Sequence, residues 1–145
     1  MLQNVVGLFG TCGSSKWRAP IMTQLDLVGI KYFNPVVEDW TPECRANEVH
    51  HASTDKVIVT VITGETEGVG SLAELGWMAL GAKERGQYLV IFIEDHPDKS
   101  NNKVRDLVRK YIIDAEESMP QLYLVNSVEE IVPTVIDILK QKETE

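Results

Sequence analysis

Apolar residues recur along the chain in two alternating rhythms. Short, largely apolar runs occupy 4–9 (NVVGLF), 30–33 (IKYF), 57–62 (VIVTVI, opening at Asp55 and continuously β-branched), 88–93 (YLVIFI) and 121–125 (QLYLV). Each is too short to span a membrane and reads as a strand, the third of them buried on both faces. Between the runs, apolar positions fall at helical spacing. Ile21, Met22, Leu25 and Val28 mark a first helix, with Pro20 in its first turn and Gly29 as its closing residue. Residues 43–53 are polar but rich in helix formers, with Thr41 placed to cap them, and 71–84 form a third helix. Residues 103–114 carry Val104, Leu107, Val108 and Tyr111 on one face. The last helix starts from Asn126 or Ser127 and runs through Val128, Ile131, Val132, Val135, Ile136 and Leu139, with Pro133 near its start. The polar stretch 94–102 reads as a loop, a candidate lid or rim, and 140–145 as a frayed, charged tail.

Strand and helix thus alternate five times, with no repeat, linker or low-complexity segment. That order predicts one α/β domain over 1–145: a doubly wound five-stranded parallel sheet of flavodoxin-like, Rossmann-like order, with helices on both faces. Composition agrees, since 43% apolar and 25% charged residues suit a packed domain of 145 residues. The net charge of −8 disfavours binding along a DNA or RNA phosphate backbone, yet leaves a single small nucleoside or nucleotide open. Cys12 and Cys44 lie in no CxxC pair, so neither a zinc site nor a disulfide framework is expected, and no metal or redox cofactor is implied. The amino-terminal residues lack a basic leader segment, and no run approaches the ~20 apolar residues of a spanning helix, so a cytoplasmic protein without a membrane partner is expected.

The stretch 55–86 (DKVIVTVITGETEGVGSLAELGWMALGAKERG) organises the rest. It reads as buried strand, glycine-rich turn, helix. Ligands of open parallel sheets sit beyond the carboxyl ends of the strands, which points to the turn 63–70. Ser71 suits an N-cap, and Glu74 three residues on completes a capping-box pattern. The alternative for Glu74 is chemical: a carboxylate on the first helical turn, facing a pocket, can attack an anomeric carbon. In the first turn, GTCGSSKWR, Ser14, Ser15 and Arg18 stand at a helix N-terminus, suited to a phosphate or sugar hydroxyl, or simply to capping and surface charge. It has neither the Walker lysine pattern nor the dinucleotide fingerprint. The second turn, NPVVEDW, gathers Asn34, Glu38, Asp39 and Trp40. The indole could stack on a planar base while an amide or carboxylate reads its edge, or could close the core under its loop. His50 and His51 diverge by roughly 100° on a helix and read as surface or interface residues. His96 reads as solvated, and Asp55 as a residue that caps or orients a loop.

Together, GTCGSSKWR, FNPVVEDWTPEC and VITGETEGVGSLAELG resemble the nucleoside 2-deoxyribosyltransferase-like family, over roughly residues 5 to 93. The carboxy-terminal third matches only in its pattern of strand and helix. The resemblance implies a doubly wound fold and cleavage of the N-glycosidic bond of nucleosides. It places the family's nucleophilic glutamate at Glu74 and a pocket-supporting aspartate at Asp55. It also implies contacts to substrate from Gly10, Ser14, Ser15, Arg18, Asn34, Asp39, Trp40, Gly68, Gly70 and Ser71, and active sites completed across subunits of a homo-oligomer. Two departures stand out. Gly68 occupies the position of an aspartate six residues before the glutamate, with Glu65 and Glu67 close by. Leu8 and Phe9 stand where a strand-end tyrosine is usual. The asparagine that a neighbouring subunit supplies has only Gln121 or Asn126 as candidates. Three activities follow as expectations: transfer of 2-deoxyribose between bases, hydrolysis of a nucleoside or its 5′-monophosphate, and nucleotide binding without catalysis.

Overall fold

In the computed structural model, residues 2–12, 15–65, 69–96, 98, 100–114 and 119–143 are described. Five parallel strands form one sheet: β1 (Gln3–Gly10), β2 (Tyr32–Phe33), β3 (Asp55–Ile62), β4 (Tyr88–Ile93) and β5 (Leu122–Leu124). Their order is β2-β1-β3-β4-β5, the doubly wound flavodoxin-like arrangement that the alternation predicts. The helices are α1 (Arg18–Leu27), α2 (Pro42–Thr54), α3 (Val69–Arg85), α4 (Ser100–Val108) and α5 (Ile131–Glu143). A π-helical turn, Arg109–Ile113, extends α4, and a 3₁₀ turn, Val128–Glu130, leads into α5 from Ser127.

The strands divide their side chains between two cores by the two-residue period of the pleat. Val57, Val59 and Val61 of β3 face one core with Ile21 and Leu25 of α1 and Ile131, Val135 and Ile138 of α5. Ile58 and Ile62 face the other with Leu75, Ala79 and Ala82 of α3 and Val108 of α4. Burial on both sides is why β3 is an apolar run with no alternation.

Helix α1 closes as its sequence predicts. The Gly29 N–H donates to the Asp26 carbonyl at 3.1 Å and the Ile30 N–H to the Leu25 carbonyl at 2.9 Å. Gly29, at φ 72°, supplies the left-handed residue this closure needs. Because the Ile30 N–H closes the helix, the second strand keeps only Tyr32 and Phe33 of the run 30–33. Thr41 is the N-cap of α2, as expected, and its N–H lies 3.4 Å from Cys44 Sγ.

Three boundaries differ from the sequence reading. Helix α3 begins at Val69, so Ser71 is its third residue rather than its cap, and Glu74 lies in its second turn, not its first. The polar run 94–102 is helical from Ser100, because the Asn101 side chain is fully buried and bonded to backbone. The tail from Lys140 stays helical to Glu143.

Candidate functional site

The chain direction reverses across the sheet between β1 and β3, so the turns after these strands lie side by side at their carboxyl ends. Close backbone approach fuses them. Gly10 has φ 124°, and a Cβ there would run into the Val61 carbonyl of β3. The Thr11 N–H donates to the Val61 carbonyl at 2.9 Å, and Thr11 Oγ1 accepts the Thr63 N–H at 3.0 Å. Further out, the Ser15 hydroxyl donates to Glu65 Oε1 at 2.9 Å, tying first turn to third.

Arg18 is not the free phosphate-binding guanidinium its position suggested. It is 4% exposed, and its donors point at backbone. Nε donates to the Leu8 carbonyl at 2.9 Å, Nη1 to Thr11 at 2.7 Å and Nη2 to Gly10 at 3.2 Å. The guanidinium lies 4.2 Å from the centre of the Trp17 ring, whose Nε1 donates to the same Thr11 carbonyl at 2.9 Å. Arg18 therefore braces the end of β1 from below. Burial pushes its pKa down, while Cys12 and Glu74 pull it back up. The N-cap of α1 is Trp17, not one of the serines.

Glu74 projects from α3 with its surface open to solvent. Surrounding protein still displaces enough water to push its carboxyl above the ordinary range; Glu48 of α2 adds to the rise and Arg18 opposes it. Helices α1, α2 and α3 thus each supply one charge to this electrostatic group. Gly70 lies in the first turn of α3 and Ser71 follows it, half-buried. Ser14 and Gly68 lie outside the described residues.

Asp55 is in a different place. It opens β3, at the amino end of the sheet, so the length of the strand, roughly 23 Å, separates it from the turn before Glu74. It is fully buried, and Oδ1 lies 2.7 Å from His51 Nδ1. The His51 ring stacks on Phe33, centroids 3.9 Å apart and planes 6° apart. His51 is therefore packed into the protein rather than a surface residue. Burial pushes the Asp55 carboxyl up, and His51, then His50, only partly offset it. Asp55 Oδ2 has no hydrogen-bond partner among the described residues. What Asp55 orients is α2: its N–H closes the helix on the His51 carbonyl. His96 is likewise mostly covered, with Nδ1 2.6 Å from Asp98 Oδ1.

The second turn stays open. Asn34 is half-buried and its Oδ1 accepts the Val36 N–H at 3.0 Å. Asp39 is exposed, and Trp40, at 59% exposure, does not close the core beneath its loop.

Several residues that shape this edge carry no sequence signal. Glu94 Oε1 accepts the Gly64 N–H at 2.8 Å, and Asn101 Nδ2 donates to the Glu94 carbonyl at 2.8 Å. Thr63 Oγ1 and Asn101 Oδ1 are buried without a partner among the described residues, marking a polar seam behind the third turn. Glu94 also lines a cavity of about 470 Å³ with Arg105 and Arg109, between the ends of β4 and β5. A buried asparagine beginning a helix could have been suspected from SNN, but only by knowing where the helix packs. Among the described residues, no three of His, Cys, Asp and Glu converge as metal ligands, and both cysteines are free. No helix there is long and apolar enough to cross a membrane.

Residues 4–96, which take in β1 through β4 and both fused turns, match the family model described as nucleoside 2-deoxyribosyltransferase like. No match was found among curated proteins or among solved structures.

Proposed function

The chain belongs to the nucleoside 2-deoxyribosyltransferase-like family, and from that premise we propose that it cleaves the N-glycosidic bond of (deoxy)nucleosides through a covalent sugar ester on Glu74. The carboxylate oxygen attacks C1′ as the C1′–N bond breaks. The base leaves with the bonding pair and takes up a proton. A nitrogen of a second base then attacks C1′ from the opposite face, releasing Glu74 and restoring the original configuration.

The observation that carries this reading is the placement of Glu74. It stands on the helix after β3, at the edge where the chain reverses, within electrostatic reach of Arg18 and Glu48. Its raised pKa suits a nucleophile, because a more basic carboxylate attacks carbon more readily once ionised. Trp40 and Asp39 are accessible to a base, with Asn34 at the root of their turn. Ser15 supplies a hydroxyl, and Gly70 and Ser71 stand one turn before Glu74. Arg18 contributes by holding the first turn in shape. Asp55 supports the site at a distance, by fixing through His51 the helix that carries Glu48. Gly10 lets the two turns meet, and Ser14 and Gly68 complete the substrate contacts in this reading.

Hydrolysis is the second reading, favoured by the exposure of Glu74, which leaves an ester there open to water. The substrate is then a nucleoside or its 5′-monophosphate. Neither route calls for a metal or redox cofactor. The reading also includes assembly into a homo-oligomer through the face where Trp77, Leu80 and Val49 are 75%, 66% and 63% exposed.

One experiment separates the routes. The protein is incubated with a deoxynucleoside and a different free base. A new nucleoside supports transfer, and free base without it supports hydrolysis. Absence of both leaves a nucleotide-binding module and overturns the catalytic reading. Glu74→Ala is expected to abolish turnover while circular dichroism shows an intact fold. Retained turnover would remove Glu74 from its role.

A further inference from the structure

The amino end of the sheet, opposite Glu74, holds a cavity of about 780 Å³ between the close of α1, the start of β1 and the last turns of α5. Its volume lies in the range of small-molecule sites. Val5, Ile30, Ile136 and Leu139 form an apolar floor, continued by Val28, which is 53% exposed. The rim carries Lys31 and Lys140, with Gln3 and Asn4 as neutral polar neighbours and, among the described residues, no carboxylate in the lining. That is unusual in a chain where 22 acids outnumber 14 basic residues. Neither ammonium makes an ion pair among the described residues. The carbonyls that end α1 do not oppose an anion here, because the Gly29 and Ile30 N–H groups already satisfy those of Asp26 and Leu25. A neighbouring cavity of about 600 Å³ shares Val5, Gly29, Ile30 and Lys31, so the hollow continues toward β2. Among the described residues lining it the one acid is Asp26, which accepts the Tyr32 hydroxyl at 3.1 Å.

The geometry points to a binding site for a small amphipathic anion, with its hydrocarbon or aromatic body on Val5, Ile30, Ile136 and Leu139 and its acidic head between Lys31 and Lys140. An apolar floor alone would take any oily molecule. Two cations at the rim, paired with no acid among the described residues, select the charged one, since a charge-assisted contact adds more than a neutral one. The site is independent of the reaction at the other end of the sheet, so either proposal can fail without the other.

The test uses the full chain and 8-anilinonaphthalene-1-sulfonate, which combines fused rings with one sulfonate. Fluorescence titration is expected to show one saturable site, from which decanoate displaces the dye and decan-1-ol at equal concentration does not. The double variant Lys31→Glu, Lys140→Glu changes exposed side chains only. It is expected to weaken binding about tenfold or more. Amide chemical shifts are expected to move at 28–31 and 136–140. Unsaturable binding, equal displacement by the alcohol, unchanged affinity in the double variant, or shifts confined to the turns after β1 and β3 would each overturn the site.

Discussion

Glu74 and Asp55 are both carboxylates held above their ordinary pKa, mainly by loss of surrounding water, Glu74 at an exposed position and Asp55 fully buried, and the consequences differ. A nucleophile must be ionised, so turnover is expected to rise with pH through the elevated Glu74 value. Glu48→Gln removes a negative neighbour and is expected to move that acidic limb to lower pH, which a pH–rate profile of variant and parent reads directly. Asp55 bears on stability. Its folded pKa is raised, so its contribution is fully present below the unfolded value, about 3.9, and is lost as pH rises through the folded value. Asp55→Asn is therefore expected to gain on the parent in urea unfolding as pH rises through that window. His51→Ala leaves the buried carboxylate without its partner and is expected to cost about 3 kcal/mol. That residue 74 lies on the helix after the third strand was legible from the order of strand, turn and helix, although its turn was not. The settings of Arg18 and His51 were not, for composition says that such a side chain is present and nothing about which carbonyl or carboxylate it meets.

At the scale of elements, the apolar runs located every strand, because a strand buried on both faces must be apolar throughout, and their order followed from alternation with helices. Ends were harder to read. The start of α3 was misplaced because Ser71 and Glu74 imitate a cap, while the loop before it consists of residues that fit several turns. Asn101 looked like loop and proved to be a buried helical residue. Two glycines give a graded test of how elements close. Gly29→Ala meets nothing within 4 Å and carries only the left-handed backbone cost, about 1 kcal/mol. Gly10→Ala drives a methyl group into the Val61 backbone at φ 124° and is expected to cost more than about 3 kcal/mol. Equal midpoints for the two in thermal unfolding would refute this account of the first turn.

For the whole molecule, the two ends of the strands carry different features. The carboxyl edge gathers charges and open turns, while the amino end holds the His51–Asp55 anchor and the lysine-rimmed cavity. The outer face of α2 and α3 presents Val49, Trp77 and Leu80 to solvent. Trp77→Glu is expected to convert an assembled protein to monomer in sedimentation velocity, while leaving the circular dichroism spectrum unchanged. Sequence alone could nominate Trp77 as core or contact; only its helical phase against the sheet decides that it points outward.

The three indoles sit in three surroundings. Trp17 is enclosed beneath the first turn, whereas Trp40 and Trp77 stand in water at different faces. The chain therefore carries its own optical probe of occupancy. A heterocycle lying on Trp40 would shield it from dissolved acrylamide, and replacing Trp77 by Phe would take the other exposed indole out of the signal. With single Trp→Phe replacements at 40 and 77, quenching could follow substrate arrival without any label.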